Sequence, residues 1–196
     1  IMEISYRQGK KEDCNVLAEF VNIASDGIID FMFHDLIPGV TPVQIVARNL
    51  ESGDNPRSYK SAIVAECEKK IVGMALSIPS QFHKITDEMK QFFPADRLEH
   101  LKHFFSARVD NSLLLDTLCV DERFRDKGIG AELISLTKKK ADKAGYNILS
   151  LIVLADNKNA QRLYWRCGFE PVENVELKPN KFIPHQGGCL LIMCKV

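Results

Sequence analysis

Apolar residues follow two different spacings along this chain, and the two spacings predict a mixture of strands and helices. Short runs rich in Ile, Leu and Val are typical of β-strands, and they cover residues 4–7, 61–67, 71–78, 113–120, 146–154 and 189–194. Apolar residues at every third or fourth position are typical of amphipathic helices, and this spacing covers residues 11–24, 41–53, 131–141 and 157–168. Residues 82–107 are also helix-like, with a break at Pro94.

The connections between these segments predict how some of the strands pair. A short charged turn separates the runs at 61–67 and 71–78, so these two runs are predicted to form an antiparallel hairpin. A predicted helix lies between the strands at 113–120 and 146–154. Strands joined by a helical crossover are parallel, and we expect this pair to be parallel.

The most informative stretch for function is the turn from Arg125 to Gly130, with the sequence Arg-Asp-Lys-Gly-Ile-Gly. It follows a predicted strand and precedes a predicted helix. The first-turn amides of a helix have no intrahelical acceptors, and the helix dipole favours an anion beside them. Gly128 and Gly130 have no Cβ, so a phosphate can approach the backbone, and Arg125 and Lys127 add positive charge. The turn therefore predicts a site for a phosphorylated cofactor.

Two other glycine-containing phosphate motifs do not fit this turn. A P-loop requires G-x-x-x-x-G-K-[ST], which the turn lacks. A dinucleotide fingerprint requires G-x-G-x-x-G, and Leu133 stands where its third glycine would be. For this stretch taken alone, an ordinary solvated turn between a strand and a helix is the alternative interpretation.

A second motif lies beyond the next predicted strand. Residues 157–169 fit the pattern N-x-x-A-x-x-L-Y-x-x-x-G-F, which begins at Asn157 and has its tyrosine at Tyr164. The spacing places four side chains on one helical face, those of Ala160, Leu163, Tyr164 and Cys167. Gly168 is predicted to end the helix. Taken alone, this segment is interpreted as a capped amphipathic helix.

Together, the two motifs and the strand between them resemble the GNAT N-acetyltransferase superfamily. The resemblance covers residues 113–169 by motif and the other residues by the order of the elements. It implies one α/β domain over residues 1–196, with a mixed, mostly antiparallel sheet and helices on both faces. It also implies that acetyl-CoA is the co-substrate and that an amine accepts the acetyl group. In the family, the two signature strands splay apart and the pantetheine arm of the coenzyme enters the gap.

The resemblance assigns the coenzyme to both motifs and to the strand that precedes the turn. The pyrophosphate is expected to bind the backbone amides of Asp126, Lys127, Gly128, Ile129, Gly130 and Ala131. The pantetheine arm is expected to pair with the backbone of Leu118, Cys119 and Val120. Arg125 and Lys127 are expected to add charge. Asn157 is expected to hydrogen-bond the coenzyme, with helix N-capping as an alternative or additional role.

Tyr164 is the candidate general acid, since it matches the tyrosine of the family motif. Acetyl transfer to an amine expels the coenzyme A thiolate, which needs a proton. A phenol has a pKa of about 10, so it is protonated at neutral pH and can donate this proton. The alternative is a core tyrosine whose hydroxyl is satisfied by the protein.

Asp116 is the candidate base that takes a proton from the attacking amine. It interrupts an apolar strand, where a carboxylate would be desolvated, and alternation places it on the face of Leu118 and Val120. The alternatives are a carboxylate held by local hydrogen bonds, or water as the base. A backbone amide of Leu118 or Val120 is expected to stabilise the oxyanion. His34 and His185 lie in segments that border the acceptor site in the family.

The acceptor pocket of this superfamily is formed by three segments that here correspond to residues 26–39, 82–106 and 173–188. Three acids in the first segment are candidates to attract a cationic amine, namely Asp26, Asp30 and Asp35. The paired phenylalanines at 92–93 and 104–105 are interpreted as helix core or a subunit contact.

Composition limits the other classes of function. The chain has 26 Lys and Arg residues and 26 Asp and Glu residues, so no net charge attracts nucleic acid or a membrane surface. The six cysteines form no C-x-x-C pair and several lie in apolar runs, which indicates reduced core thiols and no structural metal site. No apolar run is long enough to span a membrane and no signal peptide is recognised, so a cytoplasmic protein is expected. A homodimer is expected because the superfamily often forms one.

Three functions stay open at this point. The first is acetyl transfer to a small primary amine such as a polyamine, an amino acid or an amino sugar, which the insert at 82–107 favours because it can enclose a small pocket. The second is acetyl transfer to a protein N-terminus or lysine. The third is an acyl-CoA-binding module without turnover, against which the intact Tyr164 and the intact turn at 125–130 argue.

Overall fold

The computed structural model describes residues 3–196, which contain a seven-stranded sheet with helices against it. The strands are β1 (Ile4–Gln8), β2 (Ala62–Cys67), β3 (Lys70–Pro79), β4 (Leu113–Val120), β5 (Ile148–Leu154), β6 (Glu170–Val175) and β7 (Cys189–Lys195). The α-helices are α1 (Cys14–Ser25), α2 (Ile28–Phe33), α3 (Pro42–Glu51), α4 (Asp87–Phe92), α5 (Ala95–His100), α6 (Lys102–Ser106), α7 (Ile129–Lys143) and α8 (Lys158–Arg166).

The strands lie in the order β1-β2-β3-β4-β5-β7-β6 across the sheet. The β4–β5 pair is parallel, and the other neighbouring pairs are antiparallel. Helix α7 makes the crossover between β4 and β5, which is the connection that parallel strands require. The predicted mixed, mostly antiparallel sheet is confirmed.

The two faces of the sheet are covered by different helices. Along β2, Val64 packs with Leu17 of α1 on one face, while Ala65 packs with Leu133 of α7 on the other. This alternation is what a strand with two buried faces produces, because successive side chains point to opposite sides. Helix α3 lies on the same face as α1. The prediction of helices on both faces is confirmed.

The insert between β3 and β4 forms three short helices that pack against α2. Helix α4 is capped by Thr86, whose hydroxyl accepts from the Met89 amide at 3.2 Å, and it ends before Pro94. The predicted break at Pro94 is therefore confirmed. Phe93 and Phe105 of the insert belong to an apolar cluster that includes Met32 of α2. The insert thus closes one end of the molecule above the sheet.

Two elements of the structure were not predicted from the sequence. Strand β6 has five exposed residues out of six, and its pairing with β7 shifts between Pro171 and Glu173. An edge strand can hold a proline and lacks the apolar alternation that marks a strand in sequence. Helix α2 is a single six-residue helix inside a stretch of mixed composition. Helix α7 begins at Ile129, two residues before its predicted start.

The structure adds three simpler observations for residues 3–196. All six cysteines have free thiols, and five of them are buried. No helix in this range is both long and apolar enough to cross a membrane. No group of three or more ligating side chains in this range is arranged to hold a metal ion.

Candidate active site

The central feature of the site is a cleft between β4 and β5. These strands pair only at Leu113 with Leu149 and at Leu114 with Ser150, after which they separate. Beyond that point β4 remains paired with β3 on its other side, and β5 remains paired with β7. The facing edges of residues 115–120 and 151–154 therefore carry backbone groups without a neighbouring strand. This is the splay that the family resemblance implies.

Strand β4 contains a bulge beside the cleft. Thr117 pairs with Leu76 and Leu115 pairs with Ser77, so Asp116 is the extra residue. Leu115 and Leu118 consequently pack on the same side of the sheet, with the α7 cluster. The prediction that Asp116 shares a face with Leu118 and Val120 assumes that successive side chains alternate between the two faces of the sheet. This alternation is interrupted at the bulge.

Asp116 is held by an arginine from a distant part of the chain. Nε and Nη2 of Arg57 both lie 3.0 Å from Oδ1 of Asp116, and Arg57 precedes Asp116 by 59 positions. Within residues 3–196, the other carboxylate oxygen, Oδ2, accepts a hydrogen bond only from the Thr117 hydroxyl, at 3.5 Å. Asp116 is therefore paired with a cation through one oxygen, and its other oxygen is left for another partner.

His83 extends this network into the insert. Its Nε2 lies 2.9 Å from the carbonyl oxygen of Phe104 and must donate to it, which leaves Nδ1 to accept from Nη2 of Arg57 at 3.4 Å. Burial lowers the pKa of His83, so the neutral imidazole required for this arrangement is the stable form. Sequence reasoning missed both Arg57 and His83, because neither belongs to a motif.

The turn before α7 presents a row of free backbone amides. The amides of residues 126–131 make no hydrogen bond within residues 3–196, and the first helical bond runs from Glu132 N to Gly128 O at 3.0 Å. Gly128 is the N-cap residue and has φ 81°, and a Cβ built there would meet nothing within 4 Å. Unpaired amides that face open space at a helix N-terminus form an anion site.

The basic side chains of the turn lie beside these amides. Nε of Arg125 donates to Val120 O at 3.2 Å, which fixes the turn to the end of β4. Nζ of Lys127 donates to Arg123 O at 3.1 Å and lies 5.0 Å from the centre of the Phe124 ring. Both side chains are exposed. The turn is thus positively charged as well as rich in free amides.

Tyr164 lies in α8 with its ring buried and its hydroxyl open to the main cavity. The residue is 8% exposed, and its ring meets Phe169 edge-on at 5.6 Å. Within residues 3–196, Asn22 Oδ1 is the one fully buried side-chain polar atom without a hydrogen-bond partner. The Tyr164 hydroxyl also has no partner in this range, so it is not fully buried. Burial raises the pKa of Tyr164 far above its ordinary value, so the phenol stays protonated. Nearby, burial raises the pKa of the Cys119 thiol to about 11.

Asn157 caps helix α8. Its Oδ1 accepts from the backbone amide of Ala160 at 3.1 Å, so Asn157 is the N-cap residue of this helix. Asn157 also lines the main cavity, and its side-chain nitrogen, Nδ2, makes no hydrogen bond within the described residues. The side chain can therefore cap the helix with its oxygen and donate to a ligand with its nitrogen.

A single cavity of about 1740 Å³ connects these features. Of the predicted site residues, it is lined by Asp116, Leu118, Cys119, Val120, Arg125, Asp126, Gly128, Ile129, Gly130, Ala131, Asn157 and Tyr164. Lys127 lies outside this lining. The cavity exceeds the range of about 300 to 1,000 Å³ typical of one small ligand, which leaves room for a coenzyme and a second substrate.

Neither of the two predicted loop histidines lines the cavity. Nδ1 of His34 lies 2.9 Å from Phe31 O, and its Nε2 accepts from Nη2 of Arg97 at 3.1 Å. His185 pairs with Asp156 at 3.1 Å near the start of β7. Both imidazoles are thus engaged in local contacts outside the cavity.

The acceptor side of the cavity is formed by α2, α3 and the insert. The two phenylalanine pairs of the insert all line it, namely Phe92, Phe93, Phe104 and Phe105. Their interpretation as core or subunit contact is therefore incomplete, because they also form the cavity wall. Asp26 lines the cavity at an exposed position, whereas Asp30 and Asp35 do not line it.

Comparison with known proteins agrees with this geometry. The family model described as acetyltransferase (GNAT) family matches residues 38–169, which is more than half of the chain. An uncharacterized N-acetyltransferase of Methanocaldococcus jannaschii is 44% identical over 57 residues. That alignment spans 29% of this chain and only 25% of the relative.

Solved structures extend the likeness over the whole chain. A crystal structure described only as an acetyltransferase is 25% identical, covers 98% of this chain and 99% of its own, and has a TM-score of 0.65. The PaiA N-acetyltransferase of Thermoplasma acidophilum, solved in complex with coenzyme A, is 15% identical over 100% of both chains, with a TM-score of 0.58. The second likeness concerns the fold alone. By its family match and its fold, this chain belongs to the GNAT acetyltransferase family.

Proposed function

We propose that this chain is an acetyl-CoA-dependent N-acetyltransferase that acetylates a primary amine of a small molecule. The observation that carries the proposal is the continuity of one cavity from the free amides of residues 126–131, through the β4–β5 cleft, to Tyr164. A pyrophosphate, an extended amide-containing arm and a thioester occur in this order in acetyl-CoA. The same cavity offers an anion site, unpaired strand edges and a proton donor, one for each of these parts.

The coenzyme contacts follow from this order. The pyrophosphate binds the amides of residues 126–131, with the charge of Arg125 and Lys127 beside it. The pantetheine arm pairs with the free edge of β4 at residues 118–120, as an added strand would. The free amide nitrogen of Asn157 donates to the arm. The coenzyme A in the related Thermoplasma structure supports this choice of ligand.

The chemistry requires a nucleophile, an oxyanion donor and an acid. The neutral amine attacks the thioester carbonyl carbon and forms a C–N bond, and a backbone amide of Leu118 or Val120 stabilises the oxyanion. The C–S bond then breaks, and the Tyr164 hydroxyl gives its proton to the thiolate. The proton that the substrate ammonium loses before attack passes to Asp116 or to water in the cavity. The second proton, which the nitrogen loses once the C–N bond has formed, restores the Tyr164 hydroxyl. The products are the N-acetylamine and coenzyme A.

Two other functions compete with this one. Transfer to a protein N-terminus or lysine needs an acceptor side that admits a polypeptide, whereas here apolar side chains of the insert line that side. A module that binds acyl-CoA without turnover has no need of an acid, whereas the Tyr164 hydroxyl is protonated and open to the cavity. Both observations favour an enzyme with a small acceptor.

The test is a calorimetric titration with acetyl-CoA, with NAD as a control, followed by a thiol-release assay over a panel of amines. We expect micromolar affinity for acetyl-CoA and no binding of NAD. Tyr164→Phe is expected to lower kcat by about a hundredfold or more, because it removes the hydroxyl that donates the proton. The affinity for acetyl-CoA is expected to stay unchanged. Absence of acetyl-CoA binding would sink the proposal, and unchanged kcat in the variant would remove Tyr164 from the mechanism.

A further inference from the structure

The acceptor side of the cavity differs in character from the coenzyme side. Its wall is built largely from apolar side chains of α2 and the insert, including Met32, Phe33, Met89, Phe92, Phe93 and Phe104. The rings of Phe33 and Phe93 meet edge-on at 5.2 Å, and those of Phe92 and Phe93 at 5.3 Å. Such a wall binds an apolar body by excluding water and by ring contacts.

Negative charge on this side is concentrated at one half-buried carboxylate. Among the described residues, the acids that line the acceptor side are Asp26, Glu88 and Asp116, and the first two are exposed. The Asp116 side chain is 19% exposed, and its Oδ2 accepts a hydrogen bond from no described residue except Thr117, whose hydroxyl lies at 3.5 Å. A carboxylate oxygen at the end of an apolar pocket can bind one ammonium group. A second, distant ammonium would find no buried partner.

The nearby arginine does not provide a carboxylate site. Nε and Nη2 of Arg57 are committed to Asp116, Nη2 also contacts His83, and Nη1 faces the Phe82 carbonyl oxygen at 3.5 Å. A substrate carboxylate placed here would have to compete with Asp116 for the guanidinium. It would also lie against the carboxylate of Asp116, which repels it.

We infer that the acceptor is a monoamine whose body is apolar, with its ammonium on Asp116 Oδ2. The inference rests on the proposed acetyltransferase function and specifies its substrate class. It separates this acceptor from polyamines, which carry additional charges, and from amino acids, which carry a carboxylate next to the amine.

The experiment measures binding to the complex with desulfo-coenzyme A, which cannot turn over. 2-Phenylethylamine is compared with three other amines. n-Butylamine has an alkyl chain in place of the ring, and phenylalanine carries an added carboxylate. Spermidine represents the polyamines. We expect 2-phenylethylamine to bind at least about tenfold more tightly than the other three. n-Butylamine and spermidine have no ring to bury, and phenylalanine would place its carboxylate against that of Asp116. Equal binding by n-butylamine, or tighter binding by phenylalanine or spermidine, overturns the inference.

Three variants locate the binding in this pocket. Phe92 lines the cavity and is 51% exposed, while Phe82 is 40% exposed and does not line it, so each tolerates truncation. Phe92→Ala is expected to weaken 2-phenylethylamine about tenfold, and Phe82→Ala to leave its affinity unchanged. Asp116→Asn is expected to weaken every amine. Equal effects of the two phenylalanine variants would overturn the assignment of the pocket.

Coenzyme titration together with the thiol-release assay, with a lysine peptide in the amine panel, distinguishes failure of this inference from failure of the proposed function. Absence of both acetyl-CoA and desulfo-coenzyme A binding overturns the proposed function and, with it, the inference. Normal coenzyme binding together with turnover of spermidine or of a lysine peptide, and none of 2-phenylethylamine, overturns the inference alone.

Discussion

The hydroxyl oxygens of Ser112 and Ser150 lie 2.7 Å apart, at the point where β4 and β5 begin to separate. Both residues are fully buried, and Ser112 Oγ also lies 2.7 Å from the carbonyl oxygen of Val109. Ser112 therefore donates to Val109 and accepts from Ser150. The last residue pair of the parallel ladder, Leu114 with Ser150, is adjacent to this contact. The two hydroxyls fix the closed end of the cleft.

Removal of these two hydroxyls is predicted to have unequal effects. Ser112→Ala leaves the buried Ser150 hydroxyl without its partner and is expected to lower the free energy of unfolding by about 2 kcal/mol. Ser150→Ala leaves Ser112 bonded to Val109 and is expected to cost about 1 kcal/mol. Urea denaturation of the two variants and of the wild type measures both changes. Equal losses would contradict the assigned donor direction.

Gly128 and Gly145 offer a matched pair at opposite ends of α7. Both have φ 81°, and at both a built Cβ meets nothing within 4 Å. Replacement by alanine forces the same left-handed conformation on a residue with a Cβ, and each variant is expected to lose about 1 kcal/mol of stability. Only Gly128 lies among the free amides of residues 126–131. We therefore expect Gly128→Ala alone to weaken acetyl-CoA binding in calorimetry. A similar loss of affinity in Gly145→Ala would mean that general destabilisation is the cause.

The parts of the site that were predicted from sequence depend on local pattern. The turn at 125–130 lies between a short apolar run and an amphipathic segment, and a strand, a turn and a helix N-terminus follow from these neighbours alone. The helix from Asn157 to Gly168 likewise follows from its apolar spacing and its capping residues. The parallel pairing of β4 and β5 follows from their helical crossover.

The parts that were missed depend on contacts between distant residues. Arg57 meets Asp116 across 59 positions and His83 across 26, and the bulge that displaces Asp116 arises from pairing with β3. Nothing in the neighbouring sequence of these residues encodes such contacts. Strand β6 was missed for another reason, since its exposed edge position removes the apolar alternation that identifies strands.

Arg57 is predicted to position the acceptor through Asp116. Arg57→Gln leaves the Asp116 carboxylate without its cationic partner, so the carboxylate no longer holds one orientation for the substrate ammonium. We expect the KM for the amine to rise about tenfold or more, because a partly buried charge-assisted pair contributes about 1.5–3 kcal/mol. The affinity for acetyl-CoA should not change. Steady-state kinetics with varied amine, together with calorimetry, separates the two effects.

Arg108 supplies the control for this experiment. Its side chain is 35% exposed, as is that of Arg57, and its Nε lies 3.0 Å from Asp110 Oδ1. Asp110 is 80% exposed, whereas Asp116 is 19% exposed. Arg108→Gln therefore removes an equivalent surface pair and should leave the KM for the amine unchanged. If both variants raise KM equally, Arg57 has no specific role in positioning the acceptor.

Lys140 of α7 is predicted to make stability depend on pH in the alkaline range. Its Nζ donates to Ser61 O at 2.8 Å and to Ser77 Oγ at 2.9 Å, and burial lowers its pKa from 10.5 to about 8. Between these two values the unfolded chain binds more protons at this lysine than the folded chain does. Raising the pH through this window therefore favours the folded state, by about 3 kcal/mol for this one group.

A variant at the same position isolates this effect from the other groups that titrate at high pH. Lys140→Met removes the titrating amine, so its free energy of unfolding should lack the rise that the wild type shows between pH 8 and pH 10.5. Lys139→Met, at the exposed neighbouring position, should retain that rise. Urea denaturation of the three proteins at both ends of the window measures the difference. Parallel pH profiles for the wild type and Lys140→Met would show that the buried amine keeps its proton throughout, because its hydrogen bonds offset the loss of hydration.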